Sequence, residues 1–227
     1  MLDEFQILPD DDEASTELRD AASLPGLANT TKQKYGRSTM PAWLAMDYAD
    51  ARQRISAEMK KNPSRRPTSY DKGTFWDVSP TPFFIAKTKF QVLPEHFYRP
   101  KYFVWILHAL TGHIPCPNCL SLKRSKSNPN YLSPNSFSKA PRRVVGLDKN
   151  IYIIGHQYCC KSCGKTYQSW SPTLLSALPH PLAAQFPYHL TYRCGLTDGV
   201  VSFLRACFLQ GIGPIPFAKM IRMNHVC

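Results

Sequence analysis

Two pairs of cysteines, each split by two residues, constrain this chain more than anything else in it: Cys116-Pro117-Asn118-Cys119 and Cys160-Lys161-Ser162-Cys163. At that spacing one tight backbone turn aims two thiolates at one point. Two such turns supply four sulfurs, which suits a tetrahedral Zn²⁺ ion in a closed site. Pro117 stiffens the first turn, and Gly164 lets the chain reverse directly after the second. Cys116, Cys119, Cys160 and Cys163 are therefore the expected metal ligands, and zinc the expected cofactor. The competing reading is that the eight cysteines are buried free thiols. Cys159 leaves a second alternative open, since it could replace Cys160 at a three-residue spacing; strand alternation puts only one of these neighbours on the metal side. His108, His113 and His156 flank the pairs and could each stand in for a cysteine. With four thiolates present, they are expected instead as packing residues or as donors behind the ligands.

Forty residues separate Cys119 from Cys160, against about 15–20 in compact four-cysteine sites. Residues 120–141 are rich in Ser, Asn and Pro and read as a loop. Beyond them, Arg143–Leu147 and Ile151–Tyr158 are β-branched and aromatic runs joined by Asp148-Lys149-Asn150, the signature of a hairpin. Its second strand delivers Cys160 to the metal, and Thr166–Trp170 can leave as a third strand. Turn, hairpin, turn, strand is the layout of a zinc ribbon.

The rest of the chain falls into three stretches around this core at 116–170. Residues 1–67 are an acidic arm, largely disordered over 1–40, with one helix expected over 41–61 whose apolar face is Trp43, Met46, Ile55 and Met59. The basic stretch Lys60–Pro67 closes it, as a nuclear import signal or a solvated linker. Residues 68–115 begin with an aromatic, proline-punctuated extended segment over 68–98, a surface for the core or for a protein partner, with base stacking as the sharper alternative. Residues 102–110 are an apolar run, helix or strand. Residues 171–227 are helical: Val200, Val201, Leu204, Cys207 and Phe208 recur at helical spacing behind the capping run Leu196–Gly199, Gly211–Pro214 breaks the helix, and Ile215–His225 forms a second. Two short helices with a glycine turn suit a helix-turn-helix or an ordinary helical hairpin. The expected fold is α+β: a small zinc-ribbon-like antiparallel sheet, a C-terminal helical hairpin and a disordered arm.

Charge narrows the partners. The net charge of +12 averages two unlike parts. Residues 1–20 hold eight acids and one base, leaving 27 bases and 8 acids, a net +19, for the remainder. A basic body with an acidic arm suits a polyanion. Lys123, Arg124, Lys126, Lys139, Arg142 and Arg143 lie in an acid-free stretch between the cysteine pairs and are the expected phosphate contacts, with Lys149, Lys161 and Lys165 extending the charge. Lys219 and Arg222 mark the second C-terminal helix as a reading element for DNA. There is no apolar run of 18 residues, so no helical membrane span is expected. The acidic start lacks the features of a signal peptide. A nuclear location follows, with the cytoplasm as the alternative, and in either compartment metal and free thiols are favoured over disulfides.

From Cys116 onward the acids are Asp148 and Asp198, too few for a nuclease that holds Mg²⁺ on several carboxylates. Pro115–Cys119 matches half of a zinc deaminase motif, but the His-x-Glu half is missing, so no general acid/base is supplied. No catalytic residues are expected, and the chain is not expected to be an enzyme by itself.

The succession Cys116–Cys119, Arg142–Asp148, Tyr158–Cys163, Ser169–Pro172, Leu190–Leu196 and Gly211–Pro214 resembles a domain family of unknown function. That family is associated with basidiomycete fungi and with transposase- or exonuclease-like proteins of mobile elements. The resemblance covers about residues 90–227 and departs from the family at Cys194, where a small residue such as serine is expected. It implies a DNA-binding role of mobile-element origin, in a fragment or short relative of a longer protein. The alternative is a protein-interaction or accessory domain.

Overall fold

The strand that positions everything else is β5 (Asn150–Cys160), eleven residues long. The structure is a computed structural model describing residues 40–77, 87, 100–121, 130–192 and 194–225. All of them belong to one unit, Met40–Cys227. The arm expected to be disordered, and Lys123, Arg124 and Lys126, lie outside the described residues.

The two halves of β5 belong to different layers of pairing. Its first half pairs parallel with β2 (Lys101–Trp105) and antiparallel with β4 (Arg142–Val145). Its second half lies between β3 (Leu132–Phe137) and β6 (Thr166–Gln168), both antiparallel. Outward from β4 follow β8 (Gly195–Thr197), parallel, and β7 (Tyr188–Leu190), antiparallel to β8; β1 (Trp76–Asp77) edges β2. The fold is α+β, but the sheet is mixed and reaches eight strands among the described residues. The small antiparallel sheet expected from sequence is only one end of it. The hairpin expected around Asp148 is present as β4–β5.

Strand β3 falls inside the stretch read as a loop. Its polar composition reflects an edge position with one face in solvent, and Pro134, which has no N–H to donate, sits beside the register shift between Pro134 and Ser136. Strand β2 explains the ambiguity of the 102–110 run. Tyr102 to Leu107 are all 2% exposed or less, because the sheet is covered on both faces, and such strands read as continuous apolar runs. A 3₁₀ turn, Leu107–Ala109, ends it.

Helix α1 (Ala42–Lys61) covers one face. Its buried stripe is Leu44, Tyr48, Ala51 and Ile55, spaced 4-3-4; the last three pack with Tyr102, Val104 and Ile154. Of the apolar face expected from sequence, Ile55 is buried and Met59 packs beside it, whereas Trp43 is 44% and Met46 70% exposed and Tyr48 takes the central place. The Tyr48 hydroxyl donates to the Ser138 carbonyl at 2.9 Å in a buried position. Tyr102 donates to Asp47 at 2.9 Å, and Arg54 pairs with Asp77. A short helix α2 (Thr68–Asp71) follows, and its Tyr70 hydroxyl donates to the Val104 carbonyl at 2.9 Å. Where the 68–98 segment is described, its aromatics face inward: Phe75 and Trp76 pack against the core around Phe103 and Trp105.

On the opposite face lie Phe103, Trp105, Val144 and Ile153 with Leu174 and Leu178. The last two belong to or follow helix α4 (Pro172–Ala177), numbered after the short helix α3 (Pro117–Ser121) at the first cysteine pair. Helix α5 (His180–Ala183) leads to β7. Helices α6 (Asp198–Leu209) and α7 (Pro214–Asn224) close the chain around Val200, Cys207, Phe217 and Ile221. Thr197 caps α6 through the Val200 N–H. Gly211 takes the left-handed conformation (φ +75°) that breaks the two helices apart. The His225 ring nitrogen Nε2 contacts the Gly146 carbonyl at 2.9 Å, tying α7 to the β4–β5 turn.

Midway along β5, at the join of its two halves, stands Gly155. A Cβ there would lie 2.1 Å from Ser169 Oγ and 2.8 Å from the Trp170 ring. Ser169 is held in place, since the Trp105 indole donates to its carbonyl at 3.0 Å and its own N–H donates to the His156 carbonyl at 2.9 Å. Gly155→Ala is expected to lose about 2–3 kcal/mol by overpacking. Gly112→Ala, with nothing within 4 Å of its Cβ position, should stay within about 0.5 kcal/mol of the parent. Urea unfolding midpoints of the two variants check this.

Candidate metal centre

The first cysteine turn is built at the edge of the β3 ladder. The Leu132 N–H donates to the Ile114 carbonyl and the Cys116 N–H to the Asn130 carbonyl, both at 2.8 Å. Pro117 then opens α3, whose one turn carries Cys119 back beneath Cys116; the Leu120 N–H donates to the Cys116 carbonyl at 3.0 Å. Pro suits such a start because its missing N–H would be unpaired there anyway. The second turn joins β5 to β6. The Cys160 N–H donates to the Lys165 carbonyl at 2.9 Å, and the Gly164 N–H to the Cys160 carbonyl at 2.8 Å. Gly164 adopts φ +72°, and no atom crowds its Cβ position, so conformation and not space selects glycine here.

These two turns bring the Sγ atoms of Cys116, Cys119, Cys160 and Cys163 within 4.8 Å of one another. Cys116 and Cys163 are 3.7 Å apart, Cys119 and Cys160 3.8 Å. A tetrahedral ion with metal–sulfur bonds of about 2.3 Å sets sulfur–sulfur edges of about 3.8 Å. The donor set therefore fits a metal ion. Cys116, Cys119 and Cys160 are at most 3% exposed and form part of the apolar core with Trp105 and Leu174. Cys160, not its neighbour Cys159, joins the cluster; Cys159 is half-buried, paired with Ser133 and Thr166 in the strand register.

The thiols are unlike one another electrostatically. Burial pushes Cys116 up to about 12 and raises Cys119 as well. At Cys163 burial acts upward too, but hydrogen bonds from the Lys165 backbone, Cys160 and Asn118 outweigh it and bring the thiol down to about 6. Asn118 and Asn130 thus supply donors to sulfur that support the charged form. Tyr167, 8% exposed, closes the site beside Cys116. None of these three carried a signal in the sequence beyond lying close to the cysteine pairs.

The histidines near the pairs stand outside the cluster. His113 stacks on Tyr131, ring centroids 4.8 Å apart. The His108 ring nitrogen Nδ1 lies 3.0 Å from the Tyr158 hydroxyl, which also accepts the His108 backbone N–H at 3.2 Å. His156 packs between Phe137 (4.0 Å) and His108 (4.8 Å). Both of its ring nitrogens are buried without a hydrogen-bond partner.

The expected nucleic-acid contacts divide. Lys139, Arg143, Lys219 and Arg222 are exposed. Arg142 is half-buried and holds the β7–β8 turn, donating to the carbonyls of Thr191, Tyr192 (3.1 Å) and Cys194 (3.3 Å). Arg205 on α6 is exposed and adds a base that sequence reasoning did not single out.

Residues 49–225 match a family described as a domain of unknown function (DUF6729). The chain belongs to that family. No curated protein and no solved structure matches it. Within this DUF6729 chain, the four-cysteine cluster is the group of His, Cys, Asp or Glu side chains placed to hold a metal ion among the described residues.

Two outcomes follow. Cys160→Ser should release the metal and unfold the β3–β5–β6 end, whereas Cys159→Ser and Cys194→Ser should keep both metal and fold; metal content by native mass spectrometry, paired with circular dichroism, reads this. The second concerns acid. Burial, and then the neighbouring His108, lower His156 to about 3, so its folded form resists a proton that the unfolded chain accepts near pH 6.5. Stability should therefore fall as pH drops from about 6.5 towards 3, by at most about 1.4 kcal/mol per pH unit from this group. His156→Gln should have a shallower loss of urea midpoint between pH 7 and 5.5 than the parent.

Proposed function

We propose that the chain is a zinc-held DNA-binding module that does not itself catalyse a reaction. The observation that carries this reading is the pairing of a four-thiol centre with an acid-poor, basic body: from Pro100 to Cys227 the acids are Asp148 and Asp198. The ligands would be Cys116, Cys119, Cys160 and Cys163. Zinc bound there supplies cross-linking of the turns and needs no open coordination position. Lys139, Arg143, Lys219 and Arg222, exposed on the scaffold, would contact phosphates, and α7 would be the reading helix of a helix-turn-helix with α6. Of the two acids, Asp198 is engaged by the His189 ring at 2.6 Å and Asp148 lies in the β4–β5 turn. Such a pair, on separate elements, is a poor basis for a two-metal nuclease. The mobile-element origin, fungal setting and nuclear location rest on the resemblance and on the exposed basic stretch after α1, and belong to the same proposal.

A second reading is favoured by one surface. On α6 and α7, Phe208, Leu209, Ile215 and Met223 are 49%, 86%, 71% and 69% exposed, more apolar side chain than a free helix pair usually presents. This supports an accessory or protein-interaction domain within a longer protein. Salt separates the two. Fluorescence anisotropy of the full zinc-loaded chain on a labelled DNA duplex should show affinity falling about 100-fold between 50 and 200 mM salt for about four phosphate contacts. Lys219→Gln and Arg222→Gln should each flatten that slope. Affinity that salt leaves unchanged would favour the apolar contact.

A further inference from the structure

Resting on the nucleic-acid reading, we propose that the solvent face of the β3–β5–β6 ribbon is a stacking platform for single-stranded nucleic acid, centred on Tyr131. Three observations place it there. First, Tyr131 is an exposed aromatic at a fixed position: it is 44% exposed, while its backbone is held by the bridge to Pro115 and by the neighbouring Leu132–Ile114 hydrogen bond. Second, His113 already covers one side of the ring, at 4.8 Å and 34°, so the ring is pre-set in orientation and a base can add to the open side. Third, Leu132, next to Tyr131, pairs with Cys160, and Lys161, the first residue of the turn that follows Cys160, is exposed.

Alternation does the rest. Leu132 and Cys160 point into the core, so the outer row runs through Ser133, Cys159 and Thr166, which face one another across the three strands. This row is polar and uncharged, offering hydrogen-bond donors and acceptors without repelling a phosphate chain. No acid occurs between Pro100 and Leu147 or between Lys149 and Leu196, so the strands and turns that build the platform carry no acidic side chain of their own. An exposed aromatic, a neighbouring cation and a polar sheet face are what a splayed single strand uses: its bases stack, and its phosphates are neutralised. A duplex keeps its bases paired and cannot offer one to Tyr131.

The test is anisotropy of the full zinc-loaded chain on a fluorescein-labelled oligothymidylate about 12 nucleotides long, against a duplex of the same length. The single strand should bind more tightly. Tyr131→Ala should weaken it about tenfold and Tyr131→Phe less than twofold, since stacking needs the ring and not the hydroxyl. Lys161→Gln should lower the salt slope on the single strand by about 0.7. Native mass spectrometry confirms that each variant keeps its metal; should Tyr131→Ala lose it, Tyr131→Phe and Lys161→Gln carry the test. Equal binding by parent and Tyr131→Ala overturns the platform, as does a duplex that binds more tightly than the single strand. Salt-dependent duplex binding in that case leaves the DNA-binding module standing. Binding to neither probe removes both.

Discussion

Four cysteine side chains converge inside an apolar core, and that convergence is the constraint on which the rest of the structure depends. As free thiols they would be weak hydrogen-bonding partners at 3.7–3.8 Å; as thiolates they would repel in a medium that screens poorly. A divalent cation resolves both problems, because it favours deprotonation and draws the sulfurs together. The ion would also close a loop of 40 residues between Cys119 and Cys160, joining a one-turn helix to the end of the longest strand among the described residues. Held there, an ion would add its binding free energy to the stability of three short strands, β3, the end of β5 and β6.

The centre reaches the rest of the molecule through β5. Its last residues pair with β3 and β6 and its first residues with β2 and β4, so any shift at Cys160 is carried along one continuous backbone to Ile153 and Ile154. These two residues face opposite cores, one shared with the cysteines and the other with helix α1. At the crossing, Gly155 lets Ser169 and Trp170 approach the strand more closely than a side chain would permit. The Ser138 N–H donates to the Gly155 carbonyl, and the Ser138 carbonyl receives the Tyr48 hydroxyl and the Arg52 guanidinium. One short polar segment thus fastens helix, sheet and ribbon together.

Local chemistry was legible in the sequence and long-range pairing was not. The Cys-x-x-Cys spacing located the cluster because ligand geometry is set within four residues. The β4–β5 hairpin followed from β-branched runs around a short turn. The parallel pairings of β2 with β5 and β4 with β8 join segments that nothing in composition connects. Strand β3 was hidden by its own polarity, since an edge strand with a wet face looks like a loop. The face of α1 is legible at its C-terminal end, where Ile55 and Met59 pack on the sheet, but not at its N-terminal end: Trp43 and Met46 are more apolar than Tyr48, yet Tyr48 has both the ring to bury and the hydroxyl to satisfy Ser138. Arg142, an expected phosphate contact, also donates through Nη2 to three backbone carbonyls, a bond set that its charge alone does not announce.

The four-cysteine cluster is closed in by Tyr167, Asn118 and Asn130, an arrangement suited to holding shape. The surfaces it holds are basic near the ribbon and partly apolar at α6–α7, which is where partners of different chemistry would sit. The most direct test of the central claim is zinc K-edge X-ray absorption on the full chain purified under reducing conditions. A tetrathiolate site predicts one zinc per chain, with four sulfurs at about 2.3 Å and no nitrogen or oxygen ligand. A chain that holds no zinc, or one whose zinc carries nitrogen or oxygen ligands, would contradict it.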